Sequence, residues 1–265
     1  MHNKQPIVEV IEPKLFAGTV ADEIAASLGE FIAEKGSASL VLAGGKTPGA
    51  IYRQLGLPPR VHDIEWGKVH LFWGDERWVP QEDSQSNYRM VKETLLDHMR
   101  ERLNQKSTRT AMVHAVPFSQ GDPDEAAKSY EDDIRRCLKI GPNDAPVFDL
   151  VLLGVGEDGH TASLFPQSSS VAEEKRLVLA VNHPTGAKRI TFTPRALFSA
   201  RKIFYLVSGE NKAEIMKKIL SSEGTEAEHP AKLYARAAQY NPESRVTFLL
   251  DSGAAKLLPA HLKHS

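Results

Sequence analysis

The chain has 265 residues, 41% of them apolar and 25% charged, with 34 acids against 33 bases and a formal charge of -1. That length suits one large domain or two small ones. The balanced charge argues against a general binder of nucleic-acid backbones, which needs a basic excess. No run approaches the ~18 apolar residues of a membrane span, and residues 1–16 carry Glu9 and Glu12 where a secretory leader needs an apolar stretch. The single cysteine, Cys137, has no partner for an internal disulfide, which fits a reducing, cytoplasmic setting.

In chain order, the α/β pattern begins near residue 18. Residues 21–34 place Ile24, Leu28, Phe31 and Ile32 on one helical face. Residues 40–43 are the first of several continuous apolar runs, followed by 69–73, 148–153, 203–207 and 246–250. Runs without alternation predict strands buried on both faces of a parallel sheet. The first run ends in Ala43-Gly44-Gly45-Lys46-Thr47-Pro48. This mimics the end of a phosphate-binding P-loop, but the glycine required ahead of Gly45 is replaced by Leu40. What remains is a strand end, with Thr47 as a helix cap and Pro48 at the first helical position. Such a start offers free N–H groups to an anion, so Gly44, Gly45 and Thr47 are candidates to cradle phosphate. A plain capped helix is the alternative. The second run leads into Gly74-Asp75-Glu76-Arg77, and residues 104–110 read as an exposed polar loop. A helix is predicted over 124–138, with Asp122 as cap and Pro123 at its first position; Cys137 reads there as a partly buried structural residue.

The third run opens into the segment 154–166, Gly-Val-Gly-Glu-Asp-Gly-His-Thr-Ala-Ser-Leu-Phe-Pro. Gly154, Gly156 and Gly159 match the spacing of a dinucleotide fingerprint. Pro166 and Ser168-Ser169-Ser170 cut any following helix to about two turns, so nicotinamide binding is rejected. A histidine in a glycine-lined turn, His160, suits either catalysis or a capping or core hydrogen bond. The fourth run ends in Ser208-Gly209-Glu210-Asn211-Lys212, and residues 221–230 read as another exposed loop. None of the ten histidines stands in a metal-ligating spacing, and His2, His261 and His264 lie near the termini, so no metal is expected. Strands alternating with helices predict a single α/β domain over 1–265: a doubly wound, mostly parallel sheet with helices on both faces. Four strand ends that carry both a glycine and a charge or histidine would meet along one sheet edge, where open parallel sheets bind ligands. The alternative is that the glycines only make tight turns.

Three of these segments, taken in order, resemble the 6-phosphogluconolactonases of the glucosamine-6-phosphate isomerase/6-phosphogluconolactonase family. They are Ala43-Gly44-Gly45-x-Thr47-Pro48, Gly74-Asp75-Glu76-Arg77-x-Val79-Pro80 with Ser86-Asn87, and the segment 154–166, and the likeness runs from about Leu40 to the end. Lys46 departs from the family's usual small hydroxyl residue, and Gln167 from its common glycine. The resemblance implies a cytosolic enzyme without a cofactor that hydrolyses 6-phospho-D-glucono-1,5-lactone in the oxidative pentose phosphate pathway. It implies His160 as the base that activates water. Asp158 would orient the imidazole, bind a sugar hydroxyl or only cap the turn. Arg77 is the first candidate for the phosphate, against an ion pair with Asp75 or Glu76. Lys212 and Arg189 follow it, and Asp75 is a candidate for sugar hydroxyls. Ser86 and Asn87 are expected to cap the next helix, with ligand contact as the second reading, and glycine-turn N–H groups to stabilise the oxyanion. The expected partner is the small sugar lactone alone, with the chain a monomer or weak homo-oligomer. Rival readings are an amino-sugar phosphate deaminase on the same fold, or a non-catalytic sugar-phosphate sensor.

Overall fold

Apolar runs become central strands here because layers on both faces remove them from water. The computed structural model describes residues 5–103, 110–118, 121–221 and 224–262. Its strands are β1 (Ile7–Ile11), β2 (Ala38–Leu42), β3 (Val69–Trp73), β4 (Asp75–Arg77), β5 (Met112–His114), β6 (Leu150–Leu153), β7 (Val178–Asn182), β8 (Lys188–Phe192), β9 (Lys202–Val207) and β10 (Arg245–Asp251). Its α-helices are α1 (Phe16–Lys35), α2 (Lys46–Leu55), α3 (Arg60–Asp63), α4 (Asn87–Val91), α5 (Asp97–Arg102), α6 (Pro123–Leu138), α7 (Pro194–Phe198), α8 (Ala213–Leu220) and α9 (Ala237–Tyr240). The five predicted runs are β2, β3, β6, β9 and β10, and every residue of β2 and β6 is buried. The predicted helices appear as α1 and α6. Asp122 caps α6 by accepting the N–H of Asp124, with Pro123 at the first position.

Seven strands form one sheet in the order β1-β10-β9-β6-β2-β3-β5, with every neighbouring pair parallel. From β2 the chain winds outward through β3 to β5. It then returns to β6, on the other side of β2, and winds outward to β9 and β10. Right-handed crossovers therefore put α1 to α5 on one face and α6 to α9 on the other. The packing agrees, since α1 touches α2 and α3 while α6 lies on β7 and β8. The reversal between β2 and β6 is the topological switch point, where such sheets open a crevice.

Several features depart from the sequence reading. The pattern starts with β1 at Ile7 rather than near residue 18. A second, antiparallel sheet in the order β4-β8-β7 stands beside the first. Gly45, not Thr47, occupies the cap position of α2; Thr47 and Pro48 lie inside its first turn. No helix follows Gly159: residues 160–166 make turns closed by a bridge between Thr161 and Leu164, and a short 3-10 turn follows at Ser169–Ala172. His2, His264 and residues 104–109 of the first predicted loop lie outside the described residues, as do 222 and 223 of the second. His261 is exposed, as expected. Among the described residues no helix is long and apolar enough to cross a membrane.

Candidate active site

The turn after β6 is built to present an imidazole. Gly156 N–H donates to the His160 carbonyl at 2.8 Å and Gly159 N–H to the Gly156 carbonyl at 3.0 Å, folding the loop back on itself. Thr161 Oγ1 donates to the Gly154 carbonyl at 2.9 Å. A side chain at Gly156 would not fit, because a Cβ there would lie 2.1 Å from His160 Nδ1. Asp158 Oδ1 accepts from the His160 N–H at 3.1 Å and faces its ring Nδ1 at 2.6 Å. Burial pushes the Asp158 carboxyl up, but the His160 N–H and the histidine's charge together outweigh it and hold the group below the ordinary carboxylate range. An ionised carboxylate only accepts, so a neutral ring in this position would carry its proton on Nδ1 and turn the Nε2 lone pair away from Asp158. The His160 side chain is 33% exposed, within reach of a ligand.

The β4 arm supplies the facing wall. Glu76 is buried and accepts the N–H groups of Arg77, Asn87 and Tyr88, each at 2.7 Å, with the Ser86 hydroxyl at 3.2 Å. Burial raises its pKa against the pull of those amides. Ser86 also caps α4 by accepting the Arg89 N–H, as predicted. Asn87 Nδ2 donates to the Asp75 carbonyl at 2.9 Å, and Ser163 Oγ donates to Asp75 Oδ2 at 2.7 Å. Gly44 must be glycine because a Cβ would lie 2.1 Å from Asn87 Oδ1, a buried acceptor with no donor of its own. Gly44 and Gly45 N–H groups donate to no described residue.

The candidate cations lie on two sides of the site. Arg77 and Arg189 are directly opposed across β4 and β8. Arg77 Nη1 donates to the Gln85 carbonyl, while the Nε atoms of both arginines are buried without an acceptor. Burial, and then the charge of Arg77, depress the Arg189 pKa. Among the described residues neither guanidinium has an ion pair, so the alternative of Arg77 paired with Asp75 or Glu76 is not what forms. On the other side, Lys212 ends a 3-10 turn that runs into α8. Asp251 holds that loop by accepting from the Ser208 hydroxyl at 2.6 Å and from the Gly209 N–H. Asn211 ties the same loop to Glu157 at 2.6 Å.

These walls enclose a cavity of ≈ 260 Å³ at the carboxyl ends of β2, β3 and β6. Of the predicted residues, Gly44, Gly45, Asp75, Arg77, His160 and Lys212 line it; Thr47, Asp158 and Arg189 do not. Asp158 reaches the cavity through His160, and Arg189 through Arg77. Asn87 lines it too, although its place in the motif suggested mainly a cap. Ser163 was not singled out; its only signal was a place inside the distinctive segment. Away from this cavity, and from residues distant in sequence, His70, His114 and Cys137 bring three metal-ligating atoms together, which local spacing rules did not anticipate.

The family model for glucosamine-6-phosphate isomerases/6-phosphogluconolactonase matches residues 12–244, starting well before Leu40. The 6-phosphogluconolactonase of Mycobacterium tuberculosis is 35% identical over 253 residues, 93% of this chain and 95% of that protein. That of Synechocystis sp. is 34% identical over 227 residues, 86% of this chain and 87% of that one. The 6-phosphogluconolactonase structure from Trypanosoma brucei superposes with a TM-score of 0.81 at 26% identity, covering 96% of this chain and 99% of that chain. A monomeric glucosamine-6-phosphate deaminase, 23% identical with a TM-score of 0.72, shares the fold. With its α/β sheet, its switch-point cavity and a match over most of its length, the chain belongs to the glucosamine-6-phosphate isomerase/6-phosphogluconolactonase family.

Proposed function

We propose that the chain hydrolyses 6-phospho-D-glucono-1,5-lactone to 6-phosphogluconate in the cytoplasm, as a step of the oxidative pentose phosphate pathway. The observation that carries this reading is His160: its Nδ1 is held 2.6 Å from Asp158, and the ring lines a cavity that Arg77 and Lys212 also line. The Nε2 lone pair takes a proton from water as the water oxygen attacks the lactone carbonyl. The tetrahedral intermediate collapses by breaking the bond from that carbon to the ring oxygen. The imidazolium returns its proton to the departing oxygen, leaving a carboxylic acid that ionises. The N–H groups of Gly44 and Gly45, read from the sequence as a phosphate cradle, donate to no described residue and are candidate oxyanion donors instead, whereas those of Gly156 and Gly159 are spent inside their own turn. Arg77, backed by Arg189, engages the phosphate, and Lys212 adds positive potential from the β9 side. Asp75 and the unpaired Asn87 Oδ1 suit sugar hydroxyls.

The deaminase reading lacks support from the cavity, whose lining carries one carboxylate, Asp75. The test is a time course of freshly made lactone with and without protein, corrected for spontaneous opening. Acceleration that falls about a hundred- to ten-thousandfold in His160→Ala is expected for loss of a general base. No acceleration by the unaltered protein, or ammonia release from glucosamine 6-phosphate instead, defeats the proposal.

A further inference from the structure

Three side chains from distant parts of the chain converge at the edge of the parallel sheet. His70 on β3 and His114 on β5 lie on adjacent strands, with rings 5.2 Å apart and stacked. Cys137, in the last turn of α6, comes down on them from the face that α6 covers. His70 Nδ1 is 3.0 Å from His114 Nε2, and Cys137 Sγ is 3.2 Å from the first nitrogen and 3.6 Å from the second. Bonds of about 2.0–2.1 Å to nitrogen and 2.3 Å to sulfur in a tetrahedron require separations of ~3.3 Å between nitrogens and ~3.5 Å from nitrogen to sulfur. The observed triangle departs from that by a few tenths of an ångström.

The surroundings favour an ion. His114 Nδ1 faces Asp133 Oδ2 at 2.8 Å. A carboxylate there fixes the proton on Nδ1 and turns the Nε2 lone pair toward the other two groups, the arrangement that orients metal-bound histidines. Phe72 stacks on the His114 ring at 4.4 Å and holds its plane. Lys35, whose charge acts on His70, is held 2.9 Å from Asp149. None of the three groups lines the sugar-phosphate cavity.

We propose that His70, His114 and Cys137 form a zinc-class metal site, in which a borderline-soft divalent ion bound by two imidazoles and one thiolate takes its fourth ligand from water. The donor set excludes magnesium and calcium, which prefer oxygen. The ion clamps the short edge strand β5 to β3 and to the end of α6. Binding displaces the thiol proton to solvent, so no redox partner is involved. The site is independent of the proposed lactonase reading and stands or falls separately.

The test uses the full chain without a histidine tag, stripped with chelator. One Zn²⁺ per chain is expected in competition with a chromophoric chelator, and Co²⁺ should give a thiolate-to-cobalt charge-transfer band in the near ultraviolet. Cys137→Ser should lose that band while keeping lactonase turnover, and Asp133→Asn should weaken Zn²⁺ binding about 10- to 100-fold. In the unaltered protein, Zn²⁺ should slow alkylation of Cys137, a readout that needs no variant to fold. An absent band, an alkylation rate indifferent to Zn²⁺, or equal Zn²⁺ affinity in Cys137→Ser overturns the proposal; the last result would put the ion elsewhere, for example at His160.

Discussion

Replacing Asp158 with Asn separates the orientation of the base from the base itself. In the native site the carboxylate faces the ring nitrogen at 2.6 Å and is held ionised by the His160 N–H and charge. Asparagine keeps the size but not the charge, and its Nδ2 can turn toward Nδ1, which would move the ring proton to Nε2 and remove the lone pair from the cavity. A hydrogen bond to a charged partner contributes about 1.5–3 kcal/mol, or about ten- to a hundredfold in rate at ~1.4 kcal/mol per decade. The side chains of His160 and Asp158 are 33% and 48% exposed, so water screens part of that interaction. The expectation is a fall in kcat of about ten- to fiftyfold, with KM little changed because Asp158 does not line the cavity. The assay is initial-rate kinetics on fresh lactone with spontaneous opening subtracted. The double variant with His160→Ala should be no slower than His160→Ala alone, since residues acting as one unit are not additive. Native kcat in Asp158→Asn, or losses that multiply in the double variant, would refute the coupling.

Arg77→Ala should raise KM for the phosphorylated lactone about tenfold or more while kcat moves less, consistent with a lost charge-assisted contact; an unchanged KM removes the phosphate contact. Gly156→Ala should cut kcat sharply without unfolding the chain, because its Cβ would meet His160 Nδ1 at 2.1 Å. Circular dichroism checks the fold, and native turnover would show that the turn yields more readily than its geometry implies. Glu131→Gln should cost about 2–3 kcal/mol near neutral pH. The Glu131 carboxylate sits 2.9 Å from Arg135 and 3.0 Å from Arg176, and it also accepts the Leu177 N–H. Burial raises the Glu131 pKa, but these partners outweigh it and leave the group depressed. Its contribution is therefore complete above the unfolded value of about 4.3 and disappears as pH falls through the lower folded value. Denaturation of both proteins across that range should show the gap closing on the acid side; a gap that persists or widens there contradicts the assignment.

How far these features were legible depends on how local their causes are. The runs that became β2, β3, β6, β9 and β10 are apolar because both of their faces are covered, and that cause is written in each run. β5 has three residues, with Met112 and Val113 exposed, and β1 is buried fully only at Val8; edge position left neither a pattern to read. The glycines of segment 154–166 were legible as a site but not in their purpose, because the pressure at Gly156 comes from the imidazole it must admit. Strand β4 was hidden by composition: Asp-Glu-Arg argues against a strand, and it forms one because Glu76 gathers amides from Arg77, Asn87 and Tyr88 while Arg77 pairs in register with Arg189. That last pairing puts like charges on directly opposed residues, with no ion pair to either among the described residues, which costs stability. Such a violation of the local rule is where function is expected to sit. A bound dianion would offset that cost, so the same opposition that kept β4 out of reach of sequence patterns supports the proposed contact between phosphate and Arg77.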